Sequence, residues 1–146
     1  MTKQKGFTLI ELLLVLAIIG IISAIAVPAL LGQRARARDK SAITNMTGTM
    51  GDLIGTWDKT KESGAAATAC ITAMEGVLTT ANLASKNPWD GTLSAYNATI
   101  ATTSALPTVV GEATYYLVNS NTLVGKVLVQ NSVNGSTMVV KRSNIE

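Results

Sequence analysis

Few side chains in this chain could carry chemistry. It holds no histidine and one cysteine, Cys70, beside nine acidic and twelve basic residues. Without an imidazole, no Ser–His or Cys–His nucleophile pair can be assembled, and a lone thiol makes neither a zinc cluster nor a disulfide within its own chain. The acidic residues show no paired spacing that would serve general acid and base work. Cys70 lies on an apolar stripe with Ala66, Ala69, Ala73, Met74, Val77 and Ala81 at helical spacing, and reads as a small buried hydrophobe. No catalytic residue, cofactor site or metal site is expected. One carboxylate is out of place: Glu11 opens a segment in which no residue from Leu12 to Gln33 carries a charge. An acidic side chain in a lipid-facing helix costs roughly 2.5 to 3.5 kcal/mol at the centre and less near an end, so Glu11 needs a partner.

The elements that would position such residues follow from composition and pattern. Hydrophobic residues make up 47% and charged residues 14%, well under the usual charged share of roughly 25%, which excludes disorder for the chain as a whole. The net charge of +3 includes a cluster of Arg34, Arg36, Arg38 and Lys40 rather than a basic face, giving nucleic-acid binding no support. The apolar run suffices to cross a hydrocarbon core of about 30 Å. Beyond it, Arg34 to Ile54 lacks proline, so the helix can run on, weakened by Gly48, Gly51 and Gly55. Trp57 to Gly64 reads as a short charged loop, followed by the second helix carrying Cys70. Asn87-Pro88-Trp89-Asp90-Gly91 is a turn cluster. Strands are expected at Leu93 to Thr99, Ala113 to Asn119, Thr122 to Gln130 and Thr137 to Arg142, with Asn119-Ser120-Asn121 and Asn134-Gly135 as turns. Short connections imply antiparallel pairing, with a helix covering one face. The expected fold class is α+β.

Two bland readings of the N-terminus compete with a functional one. A secretory signal would end at a small-residue site such as Ala24-Ile25-Ala26, but the apolar run continues to Leu31. A plain membrane anchor leaves Glu11 unexplained. The run Gly6-Phe7-Thr8-Leu9-Ile10-Glu11-Leu12-Leu13, followed by an apolar helix through Pro28, closely resembles the class III signal of type IV prepilins and their pseudopilin relatives. The resemblance covers about the first 35 residues.

The resemblance implies a structural subunit rather than an enzyme. It implies a leader over residues 1–6, a transmembrane and assembly helix over 7–32, an amphipathic continuation over 33–56 and a globular head over 57–146. It further implies a ladle-shaped fold with a long helical spine packed on an antiparallel sheet. A prepilin peptidase would cut between Gly6 and Phe7, and the new amine on Phe7 would be N-methylated. Glu11 would pair with the Phe7 amine of a neighbour; unit charges at 4 Å attract by about 4 kcal/mol at an effective dielectric near 20, offsetting part of the desolvation. Gly20 would permit close helix approach, and Pro28 a kink or loosened turn, since it lacks the N–H that would bond the Ala24 carbonyl. The implied partners are copies of the chain in a helical filament, a peptidase and methyltransferase, an assembly platform with its ATPase, and inner-membrane lipid before extraction to the cell surface.

Several features bear on that expectation. Lys3 and Lys5 precede the helix and four basic residues follow it, so counting charges would place the large domain in the cytoplasm, opposite to a pilin; the motif is the more specific signal. The basic cluster reads as a snorkelling flank or as a contact to acidic groups of adjacent subunits. The alternative is the major pseudopilin of type II secretion, whose turn before a calcium loop Asn87-Pro88-Trp89-Asp90-Gly91 loosely resembles, although the following Thr92-Leu93-Ser94-Ala95 offers few carboxylates. Between Thr8 and Thr56 no aromatic residue occurs, leaving little for conduction by stacking. Three sequons, Asn45-Met46-Thr47, Asn97-Ala98-Thr99 and Asn134-Gly135-Ser136, read as coincidence in a chain rich in Thr, Ser and Asn.

Overall fold

The computed structural model describes residues 6–104, 106–119, 121–131 and 135–145. The leader residues Met1 to Lys5, and Ser120 and Asn134 of the two expected turns, lie outside the described residues. The elements are α1 (Leu9–Glu62), α2 (Ala67–Ala84), β1 (Tyr96–Ala101), β2 (Ala113–Val118), β3 (Thr122–Asn131) and β4 (Gly135–Asn144). Contacts divide the chain into Met1–Arg34 and Ala35–Glu146, so α1 contributes to both units.

In the first unit α1 is apolar on all sides, and every residue from Gly6 to Leu31 is exposed. In the second unit, α1 turns one face to a core. Ala42, Met46, Thr49, Met50, Leu53 and Trp57 are its buried residues, recurring every three to four positions. The segment Trp57 to Gly64, expected as a loop, is instead the last part of α1 through Glu62. Its charges decorate the solvent side of a helix whose inner side carries Trp57, only 1% exposed. The helix ends at Gly64, whose φ of +80° suits only a residue without a side chain. There the Gly64 N–H donates to the Lys61 carbonyl at 2.9 Å and the Ala65 N–H to the Thr60 carbonyl at 3.4 Å, satisfying carbonyls that the helix leaves open.

Helix α2 buries Cys70, Met74 and Leu78, spaced four apart, which places the thiol in the core as its stripe implied; Ala66 and Ala69 of that stripe are exposed. The sheet has strand order β1-β2-β3-β4. The β2–β3 and β3–β4 pairs are antiparallel as expected, whereas β1 joins β2 in parallel. The difference comes from the connection of residues 102–112, which is long enough to return the chain to the same end of the sheet. Ala113, Tyr115, Leu117, Leu123, Val127 and Val129 face the helices and form one core with Trp57, Met46 and Met74. Gly125 lies opposite Tyr115 in the register, and a Cβ there would sit 3.1 Å from the Tyr115 ring, so its bareness makes room for the aromatic. The Tyr115 hydroxyl donates to the Met46 carbonyl at 3.0 Å, and burial pushes its pKa well above the ordinary phenol range. On the opposite face Lys126 is buried, its ammonium 4.7 Å from the Tyr116 ring centre and donating to the Ser104 hydroxyl at 2.8 Å.

The Asn87–Gly91 turn closes on itself and on the sheet. The buried Asn87 side chain accepts from the Trp89 N–H at 2.8 Å and donates to the Val110 carbonyl at 2.9 Å. Gly111 follows with φ +85°, and a Cβ on it would fall 2.3 Å from Asn87 Oδ1. Gly111→Ala therefore combines left-handed strain with displacement of Asn87 and should cost at least about 2 kcal/mol. Gly91→Ala, which meets nothing within 4 Å, should be nearly neutral. Thermal unfolding of the full chain in detergent checks this: the melting temperature falls for the first and stays for the second.

Candidate functional site

The residues singled out by the sequence lie along one exposed strip of chain. Gly6 and Phe7 precede α1, with Phe7 89% exposed. Helix α1 begins after Thr8, and its first orphan N–H groups need acceptors. Thr8 and Glu11 supply a reciprocal cap. The Glu11 N–H donates to Thr8 Oγ1 at 3.3 Å, while Glu11 Oε2 accepts from the Thr8 N–H at 2.9 Å and from its hydroxyl at 2.7 Å. This is the capping-box arrangement, and the Thr8-Leu9-Ile10-Glu11 spacing before an apolar run is its signature. Glu11 is therefore a local cap as well as a charge in an apolar run, and Thr8, whose signal is the three-residue spacing, is its partner. Both donors fall on Oε2, which leaves Oε1 without a partner among the described residues.

Gly20 and Pro28 are not brought to Glu11. At 1.5 Å per residue, Pro28 lies about 25 Å further along the axis. Nothing approaches within 4 Å of where a Gly20 Cβ would be, so any close packing at Gly20 must be against another molecule. Helix α1 continues through Pro28 without interruption. The helix includes a stretch long and apolar enough to cross a membrane, none of it buried within the chain.

Past this stretch lies the basic cluster, of which Arg36, Arg38 and Lys40 belong to the second unit. Arg34, Arg36, Arg38 and Lys40 are all exposed. The Arg38 guanidinium lies 5.5 Å from the centre of the Trp89 ring. Asp39 Oδ1 accepts from Trp89 Nε1 and from the Gln130 N–H, each at 3.0 Å. One carboxylate oxygen thus ties α1 to the turn before β1 and to β3. The turn's own carboxylate is also engaged: Asp90 accepts from the Thr92 hydroxyl at 2.6 Å and its N–H at 2.9 Å, and these bonds hold its carboxyl below the usual carboxylate range. Among the described residues, no three His, Cys, Asp or Glu side chains gather into a metal-binding group.

Residues 1–27 match the family model described as the prokaryotic N-terminal methylation motif. The chain is 59% identical over 44 residues to a fimbrial protein of Moraxella nonliquefaciens, covering 30% of this chain and 29% of the relative. It is 37% identical over 93 residues to a type IV major pilin of Neisseria gonorrhoeae, covering 53% and 44%. It is 50% identical over 44 residues to the type IV major pilin of Myxococcus xanthus, covering 30% and 20%. The chain spans less than half the length of these curated relatives. No solved structure matches it. The similarity is to type IV pilins, and the secretion pseudopilin alternative is not favoured.

The cap can be tested apart from any partner. Thr8→Ala removes one acceptor and one donor from the box without touching the Glu11 charge, and should destabilise the first helical turn by about 1 kcal/mol. Amide exchange of residues 9–12 in micelles should speed up several-fold, while exchange beyond Ile18 stays as in the parent chain.

Proposed function

We propose that this chain is the structural subunit of a type IV pilus filament, with no catalytic role of its own. The observation that carries this reading is a processing motif placed at the start of a helix whose apolar side chains are all exposed as far as Leu31. Such a helix is stable in lipid or against copies of itself. Residues 1–6 serve as the leader, removed by a prepilin peptidase between Gly6 and Phe7, with the new Phe7 amine then methylated. Residues 7–32 first hold the chain as a single span in the inner membrane and afterwards pack in the filament at the cell surface. The second half of α1 and residues 57–146 form the head. An assembly platform and its ATPase are the implied machinery. The exposed arginines at the end of the span act as a snorkelling flank.

The order of events follows from charge. Before cleavage the Phe7 nitrogen is an uncharged amide and brings no positive charge to a neighbour's Glu11; after it, the amine keeps its positive charge even when methylated. Glu11 Oε1, the oxygen not used by the Thr8 cap, is the atom offered to the amine of a neighbour. Gly20 lets a neighbouring helix approach closely, and Pro28 supplies a turn with one hydrogen bond fewer.

Glu11→Gln separates the two roles of this side chain, because an amide oxygen still caps Thr8 but carries no charge. Both Glu11→Gln and Glu11→Ala should be cut after Gly6 and stay in the membrane. Sheared-filament yield, relative to mature subunit in the cell, should drop at least about tenfold in both, since the Phe7 amine is left buried without a counter-charge. Wild-type yield from the glutamine variant would remove charge pairing and leave Glu11 a cap and a peptidase recognition residue.

A further inference from the structure

Of the three sequons, the structure sets one apart. Asn45 lies inside α1, with Met46 fully buried beside it and the Thr47 hydroxyl donating to the Ile43 carbonyl at 2.9 Å, so presenting it would mean unwinding the helix. Asn134 lies outside the described residues. Asn97-Ala98-Thr99 sits on β1, where the pairing is irregular. Tyr96 aligns with Ala113 and Ile100 with Tyr115, so a four-residue step on β1 is matched by a two-residue step on β2. The extra residues bulge out of the ladder. The two extra residues fall within the sequon, whose three residues are all exposed between the buried Tyr96 and Ile100.

Both ends of the bulge are pinned. The Asn82 side chain donates to the Tyr96 carbonyl at 2.9 Å and accepts from its N–H at 3.0 Å, and Glu75 accepts from the Ile100 N–H at 3.0 Å. Within the bulge, the Thr99 N–H donates to Asn97 Oδ1 at 3.0 Å. The carboxamide oxygen is thereby held against the chain, and Nδ2 has no partner among the described residues. Neither does the Thr99 hydroxyl, which a transferase reads in an Asn-X-Thr acceptor. A bulky, hydrophilic addition here would displace no core residue.

We propose that Asn97 is a glycan attachment site, taking an oligosaccharide from a lipid pyrophosphate donor. A carbon–nitrogen bond forms between Asn97 Nδ2 and the anomeric carbon of the sugar, and the bond from that carbon to the pyrophosphate oxygen breaks. The lipid pyrophosphate leaves with the electron pair, and the amide proton passes to a base of the transferase. The site rests on the proposed surface location of the head, since such donors are used outside the cytoplasm.

The test is mass measurement of the mature chain from filaments of the native cells, with mapping of the peptide that contains Asn97. An increment of hexose or amino-sugar mass on this peptide is expected. It should vanish in Asn97→Gln and Thr99→Ala, and persist in Thr99→Ser and Asn45→Gln. An unmodified Asn97, or an increment that survives Asn97→Gln and so belongs to a hydroxyl, overturns the proposal. If the chain is missing from filaments, the pilus reading fails instead, and the same measurement on membrane-extracted chain still decides Asn97.

Discussion

A helix that is apolar on every side has no resting place in water, and this constraint governs the rest of the chain. From Phe7 to Leu31 the large aliphatic and aromatic side chains are all exposed. Burying them is worth on the order of tens of kcal/mol at about 1.5 to 3 kcal/mol each. No contact inside a head of this size could compete for that surface, and the fold does not try: its core begins at Ala42. This segment therefore requires an apolar environment from outside the chain.

The second unit can be understood as support for a helix that leaves it. Groups from distant points in the sequence converge on the latter half of α1: the Tyr115 hydroxyl on the Met46 carbonyl, and the Trp89 indole N–H and the Gln130 backbone N–H on Asp39. Gly125 keeps the sheet low enough for the Tyr115 ring to lie between strand and helix. Helix α2 then closes the outer edge of β1 through Asn82 and Glu75, which bond its backbone as a neighbouring strand would.

Much of this was legible in the sequence because it follows from local pattern. The long apolar helix, the burial of Cys70 and Met74 on α2 and the positions of the strands all come from hydrophobic periodicity and turn residues. The charges from Trp57 to Gly64 suggest a loop, but the four-residue step from Leu53 to Trp57 continues the buried face of the helix. The parallel entry of β1 was hidden because pairing direction depends on where a long connection ends. At the N-terminus the Thr8-to-Glu11 spacing is a local signal for a cap, and it gives the acid in an apolar run a second, ordinary use. Asp39 was not legible at all: its partners lie 50 and 91 residues away, and no local pattern marks them.

The ties along α1 also bear on how the chain responds to tension. Asp39, Met46 and Trp57 are spread over about 27 Å of helix axis at 1.5 Å per residue. A pull along this part of the helix strains the ties side by side instead of peeling them one after another. Rupture then demands that the Asp39 bonds, the Tyr115 hydroxyl and the seat of Trp57 yield nearly together. The head is thus fastened to its helix in shear, the geometry in which a few weak bonds resist the greatest force.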